Sequence, residues 1–438
     1  MIISQLIANV NIFKNNFKYV VTCYWNAGCQ YRLFSSKTPY NMLRGDLRDS
    51  VVKLPDCEPV SVWGLVRHGK RYPGATFGKL MEEVLFVRDQ IVSDLENGNS
   101  SFCAQDVDNL KTWAPEDGFF DKPSYLSEEG YQELAGIGRR LKQAFPKLLA
   151  DLDKGNYTFR PVRDKWTEDS IKAFVDGFGF KNLFIEPPRD GYDYAPYRSC
   201  SKYLRGYKHS NDLYLKAKKY LNSTEFLASK DRIQRKLGID SLTDDNIIAL
   251  WDLCRYTSNG ILIKFSPWCA IFTSEDLEVM EYTGDLRHYY RTGYGIPTEY
   301  HQFLGQIVLA DLLRSFHDVK EGQGNKITTY VVQSTMTDMA ITSLGLFKDA
   351  NPLTGEGRNP HRKWRTSKIS MFSTNLMAVL NKCTKGDDDF KVVFYLNEEP
   401  LRTICKEGVC SWKELEQKLT PFLNTNLDFC KDNSTSKS

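Results

Sequence analysis

Val60-Ser61-Val62-Trp63-Gly64-Leu65-Val66-Arg67-His68-Gly69-Lys70-Arg71-Tyr72-Pro73 is the stretch that decides the reading of this chain. Residues 60–66 are mostly apolar and rich in strand formers, as expected of a strand inside an open α/β sheet. Ligands of such sheets sit beyond the carboxyl ends of the strands, so His68 falls where chemistry is done. A neutral imidazole is a competent nucleophile near pH 7. Arg67 and Arg71 stay charged at any working pH and can hold phosphoryl oxygens by paired hydrogen bonds. Lys70 offers another cation, and Gly69 lets the backbone approach a bound anion. The competing reading is an ordinary basic loop, because an isolated Arg-His-Gly recurs by accident.

Working outward, Ser127 has the character of a helix N-cap, followed by Tyr131, Leu134, Ile137, Leu141 and Phe145 on one apolar face. Residues 157–162 read as a second strand and 167–175 as the helix after it, which leaves Trp166 at their junction. From 178 to 324 the composition shifts to Lys, Glu, Leu and Tyr in long helical periods. Residues 327–332 return as a strand with Gln333 at its carboxyl end; 336–346 read as a helix and 391–396 as a late strand. The pattern predicts an α/β fold with a mixed sheet flanked by helices and a mainly helical insertion. His68, Trp166 and Gln333 then all stand at strand ends, as one pocket requires.

The nine residues from Leu65 to Pro73 resemble the nucleophile motif of the histidine acid phosphatases, and the Tyr72-Pro73 ending resembles the branch of multiple inositol polyphosphate phosphatases. The likeness continues in order through Phe34-Ser35-Ser36-Lys37-Thr38-Pro39-Tyr40, Ser266-Pro267-Trp268-Cys269, Glu281-Tyr282 with Asp285-Leu286, Gly293-Tyr294-Gly295, and Leu344-Gly345-Leu346-Phe347-Lys348-Asp349. It ends with Lys363-Trp364-Arg365-Thr366 and Leu396-Asn397-Glu398. The resemblance implies that His68 becomes a phosphohistidine, that Arg67 and Arg71 bind phosphate, and that no metal or cofactor takes part. It also implies a phosphatase domain at 34–177 and 325–430, a helical cap at 178–324, an N-terminal segment at 1–33 and a polar tail at 431–438.

Two positions depart from that family. Its His-Ala-Glu element, which supplies a phosphate contact and the acid that protonates the leaving alcohol, falls on Gln333-Ser334-Thr335. Gln333 can still donate a hydrogen bond to phosphate but carries no charge, and the Thr335 hydroxyl is far too weak an acid. The family's other phosphate-binding arginine falls on Trp166, read here as an aromatic plug in the space an arginine leaves. Arg163 or Lys70 could restore a positive charge, and Asp338, about one helical turn beyond Thr335, could stand in as proton donor. The remaining histidines, His209, His288, His301, His317 and His361, show no metal-ligand spacing and read as surface or structural side chains, with His301 or His317 the ones that could enter the cleft from the cap.

Composition excludes more than it selects. The 438 residues carry a formal charge of +3, too mild to point to nucleic acid, and a polyanionic small molecule needs only a local basic cleft. No run reaches the roughly 18 apolar residues of a membrane span. Eleven cysteines and sequons at Asn99, Asn156, Asn222 and Asn433 favour a secreted or secretory-pathway glycoprotein, although the polar residues among the first 21 make a poor signal peptide. Cys254 with Cys269 and Cys405 with Cys410 are expected disulfides; the resemblance adds Cys57 with Cys383. Three functional readings remain open: an inositol polyphosphate phosphatase acting through phosphohistidine with weakened turnover, a pseudophosphatase that only binds the phosphorylated ligand, and a scaffold for a protein partner.

Overall fold

The apolar run that ends at His68 begins earlier than its composition predicts, as strand β1, Cys57–Arg67. The structure is a computed structural model and describes residues 30–189, 194–208, 211–262, 264–386 and 388–430. The expected N-terminal segment, for its first 29 residues, and the polar tail lie outside the described residues. The other strands are β2 (Tyr157–Pro161), β3 (Ile327–Val332), β4 (Asn375–Cys383), β5 (Phe390–Leu396), β6 (Glu399–Pro400) and β7 (Val409–Ser411). They form one mixed sheet of order β2-β3-β1-β4-β5-β6, with β7 paired to β5. β2, β3 and β1 run parallel, whereas β4 and β5 run antiparallel to their neighbours.

The parallel half decides where the site lies. Arg67 pairs with Val332 and Pro161 with Val331, so the three strands end together. The chain leaving each of them enters one crevice. Among the helices packed on the sheet are α1 (Glu128–Ala144), α2 (Lys165–Asp176), α3 (Asp244–Thr257), α4 (Ser274–Arg291), α5 (Thr298–Lys320) and α6 (Ser334–Ser343), of which α2, α3, α4 and α6 line the crevice. Ser127 caps α1 as its sequence predicts, its Oγ accepting from the Gly130 N–H.

Alternate residues of β1 face opposite layers, as strand geometry demands. Val62 and Val66 pack with Leu134 and Ile137 of α1 and Ile171 and Phe174 of α2. Trp63 and Leu65 face the larger layer, which includes Leu250 of α3, Leu286 of α4, Leu309 of α5 and Met339 of α6. Burying each such side chain contributes about 1.5–3 kcal/mol, enough in aggregate to hold the sheet between two helical layers. Cys57–Cys383 joins β1 to β4 at paired positions, and Cys254–Cys269 and Cys405–Cys410 form as expected. Among the described residues Cys200–Cys430 forms as well, a pairing that no sequence spacing indicates. Among the described residues no helix is long and apolar enough to cross a membrane.

Candidate active site

His68 leaves β1 with its backbone held on two sides. Its N–H donates to the Val332 carbonyl at 3.0 Å, and its own carbonyl accepts from the Ser373 N–H at 3.1 Å. The ring Nδ1 lies 2.9 Å from the Gly69 carbonyl, which assigns the proton to Nδ1 and the lone pair to Nε2. Burial, then Arg67 and Arg71, hold its pKa well below the ordinary imidazole value. The ring therefore stays neutral, and nucleophilic, into acid solution.

His68 lines a cavity of about 270 Å³ whose described lining holds six basic side chains, Lys37, Arg67, Arg71, Arg255, Arg287 and Arg291, against one carboxylate, Asp252. Arg67 is fixed by its Nη1, which donates to the Ser36 and Ser370 carbonyls at 2.8 and 2.6 Å, and by the Phe372 ring 4.6 Å from its guanidinium carbon. Arg71 donates to the Tyr72 carbonyl and to Ser124 Oγ. Lys37 lies 4.9 Å from the Phe372 ring centre; burial first, then Arg67, Arg255 and Arg71, push its pKa far down. Crowding five guanidinium groups around one cavity costs repulsion that a polyanionic ligand would relieve.

α4 supplies the wall opposite the nucleophile. Gly284, Arg287, His288 and Arg291 follow the i, i+3, i+4, i+7 spacing of one helical face, and all four line the cavity. The i, i+3, i+4, i+7 spacing of these residues is visible in the sequence, but only the fold shows that this face meets the nucleophile. Lys37 lies in a segment recognised only by likeness, with nothing local to show its direction. It is His288, not His301 or His317, that enters the cavity. His301 packs on Tyr294, its pKa pushed down to about 4 by burial, and His317 packs on Trp412.

The chain's matches now carry weight. Residues 60–397 match the model of the histidine phosphatase superfamily, branch 2. This chain belongs to that family. It is 30% identical over 408 residues to the multiple inositol polyphosphate phosphatase 1 of Drosophila melanogaster, a match covering 89% of this chain and 85% of the relative. Identity to the human protein of the same name is 25% over 423 residues, with the same coverages. Among solved structures, the phytase from D. castellii superposes with a TM-score of 0.71 at 17% identity, over 92% of this chain and 89% of that one. The multiple inositol polyphosphate phosphatase of Bifidobacterium longum in complex with inositol hexasulfate superposes with a TM-score of 0.68 at 14% identity, over 92% of this chain and all of that one.

Within this branch-2 fold, the predicted site residues separate. His68, Arg67, Arg71, Trp166, Gln333 and Thr335 all line the cavity; Lys70 and Arg163 do not. Lys70 is buried, and its ammonium binds Glu129 and the Ser258 carbonyl, so it neutralises a core carboxylate rather than facing a ligand. The residue order around His68 could not show this, because adjacent strand-end side chains leave on opposite sides. Gly69 is also required for another reason than the one expected. A Cβ there would lie 2.6 Å from the Gly130 carbonyl oxygen, so the close approach is to α1.

Trp166 sits beside the nucleophile, its ring centre 6.4 Å from that of His68 and 5.3 Å from the Arg71 guanidinium carbon. It borders the cavity without filling it. Gln333 Nε2 donates to Asp164 at 2.8 Å, and its Oε1 accepts from the Tyr197 hydroxyl at 3.2 Å, which leaves one amide hydrogen for a ligand. Asp338 does not line the cavity. It is fully buried behind His288.

A buried acid braces the nucleophile from below. Glu133 accepts from the Tyr40 N–H at 3.0 Å and from Ser373 Oγ at 2.8 Å, and Ser373 in turn holds the His68 carbonyl. Burial, then the Glu129 charge, push the Glu133 pKa up to about 8. Folding therefore makes this carboxyl take up a proton, and its contribution to stability declines as pH rises from the ordinary glutamate value toward 8. Tm is expected to fall across that range, and Glu133→Gln, which keeps both hydrogen bonds, to flatten the fall. A wild-type slope unchanged in the variant, by scanning calorimetry at pH 5 to 8, would assign the proton elsewhere.

Proposed function

We propose that this protein is a phosphoric monoester hydrolase that takes inositol polyphosphates, inositol hexakisphosphate among them, and passes the phosphoryl group through His68. The observation that carries the reading is the neutral imidazole of His68, with Nδ1 held by the Gly69 carbonyl and Nε2 left free of it, in a cavity lined by six basic side chains. Arg67 and Arg71 neutralise charge on the transferred phosphoryl group, while Lys37, Arg255, Arg287 and Arg291 suit the further phosphates of a densely substituted ring. Attack by Nε2 forms the N–P bond and breaks the ester P–O bond; water then attacks phosphorus and releases phosphate and the imidazole. The disulfides Cys57–Cys383, Cys200–Cys430, Cys254–Cys269 and Cys405–Cys410 among the described residues fit an oxidising compartment, in the secretory pathway or outside the cell.

The second reading, a pocket that binds without turnover, draws on Thr335 and Trp166. A missing general acid typically costs about 10²–10⁴-fold, and a missing preorganised donor roughly 10²–10³-fold. Such losses do not multiply simply, yet either lowers the rate. Phosphate release from inositol hexakisphosphate, measured for wild type and His68→Ala, tests the proposal. Release above background that disappears in the variant is expected. No release combined with calorimetrically measured binding would establish the non-catalytic reading, and neither release nor binding would leave the scaffold.

A further inference from the structure

Nothing on β3 or the start of α6 can protonate a departing alkoxide, but the cavity holds another ionisable pair. His288 of α4 places Nδ1 2.8 Å from Asp338 Oδ2 on α6, and Thr292 Oγ1 donates to the same oxygen at 2.7 Å. Asp338 has no solvent exposure, and its Oδ1 has no hydrogen-bond partner. An acceptor-only carboxylate fixes the neighbouring ring nitrogen as a donor, so Nδ1–H points at Asp338 and Nε2 is left for the cavity that His288 lines. Thr335 and Asp338 stand three residues apart on α6, on one helical face. The imidazole that Asp338 holds is therefore docked within one turn of the place where a carboxylic acid is missing.

We propose that His288, oriented by Asp338, is the general acid and base of this active site. The inference rests on the hydrolase reading above and supplies its proton. In the first step Nε2 of His68 bonds to phosphorus, the ester P–O bond breaks, and the Nε2 proton of the His288 imidazolium passes to the leaving oxygen. Neutral His288 then accepts a proton from the water that attacks phosphorus, the N–P bond breaks, and the imidazolium is restored. Asp338 touches no substrate; it is a positioning residue that also stabilises the imidazolium. The charged groups facing His288 are Asp338 on α6, Arg67 at the end of β1, Lys37, and Arg287 and Arg291 on its own helix. Burial, Arg67 and Lys37 disfavour the imidazolium, and Asp338 favours it. Phosphate groups bound among these cations offset them, so the polyanion itself helps charge the acid.

Leaving-group dependence separates an acid from a structural histidine. p-Nitrophenolate departs with little need of a proton, whereas the alkoxides of glycerol 2-phosphate and inositol hexakisphosphate require one. His288→Gln is expected to lower kcat/KM for the two alkyl esters by about 10²–10⁴-fold while changing kcat/KM for p-nitrophenyl phosphate, which reports phosphorylation of His68 alone, by roughly tenfold or less. Asp338→Asn, which keeps the shape but removes the charge, is expected to move the alkaline limb of the alkyl-ester pH profile to lower pH. Equal losses of kcat/KM on aryl and alkyl esters in His288→Gln, or an unmoved limb in Asp338→Asn, would overturn the proposal. A wild-type protein that hydrolyses p-nitrophenyl phosphate through His68 but neither alkyl ester would overturn it while leaving the nucleophile in place. Hydrolysis of none of the three would overturn the hydrolase reading as well.

Discussion

Arg67→Ala is expected to lower kcat/KM for phosphate release by about 10²–10³-fold and to lower Tm in the same protein. The catalytic loss follows from position. Arg67 directly precedes the nucleophile, lines the cavity, and is held rigid by two carbonyls and the Phe372 ring, so it is a preorganised charge that needs no rearrangement as the phosphoryl group moves. Burial lowers its pKa only to about 10, so it remains a cation throughout the working range. The stability loss follows from its second task. Without the guanidinium, the buried Ser36 and Ser370 carbonyls lose a donor, each at about 1–3 kcal/mol. Arg67→Lys keeps the charge but not the donor fork, so it should recover part of the rate and little of the Tm. Lys70→Met provides the contrast: binding of inositol hexakisphosphate per folded molecule should be unchanged while Tm falls, because Lys70 neutralises Glu129 and never meets the ligand. Equal weakening of ligand affinity in Arg67→Ala and Lys70→Met would refute this division of labour.

That division shows where sequence reasoning reached and where it stopped. β1, β2, β3, the helix capped by Ser127 and the helices after β2 and β3 are legible because an apolar run followed by turn chemistry is a local signal. β4 was not, since Asn375–Cys383 is buried along nearly its whole length and shows no alternation to mark it as a strand. His68, Gln333 and Trp166 could be placed together because strands of one sheet end in one crevice. Arg255, Arg287, His288 and Arg291 come from helices far along the chain, and only the packing of α3 and α4 over the strand ends brings them to the nucleophile. Asp338 stands out in the sequence as a possible acid three residues past Thr335, but its partner His288 lies 50 residues earlier in the chain. No spacing rule joins those two.

The strongest expected gain comes from returning a carboxyl group to α6. In a His288→Gln background, Thr335→Glu is expected to raise kcat/KM for glycerol 2-phosphate by about 10²–10⁴-fold, the range of a positioned general acid. Thr335 lines the cavity in the first turn of α6, so a longer side chain there starts at the cavity wall, on the face that Asp338 shares. The rescued enzyme should not copy the parent. A glutamate in the first turn of a helix feels the positive end of the helix dipole as well as the neighbouring arginines, and both favour the carboxylate. Because the first step needs the protonated acid, rate declines as pH rises through that acid's pKa, and a carboxyl group so placed loses its proton at lower pH than an imidazole paired with Asp338. The rescued activity should therefore peak at more acid pH than wild type, with hydrolysis of p-nitrophenyl phosphate little altered. Absence of rescue in a folded double variant would mean that the first turn of α6 does not face the leaving oxygen, and the register that aligns Gln333-Ser334-Thr335 with the family's acid would have to move.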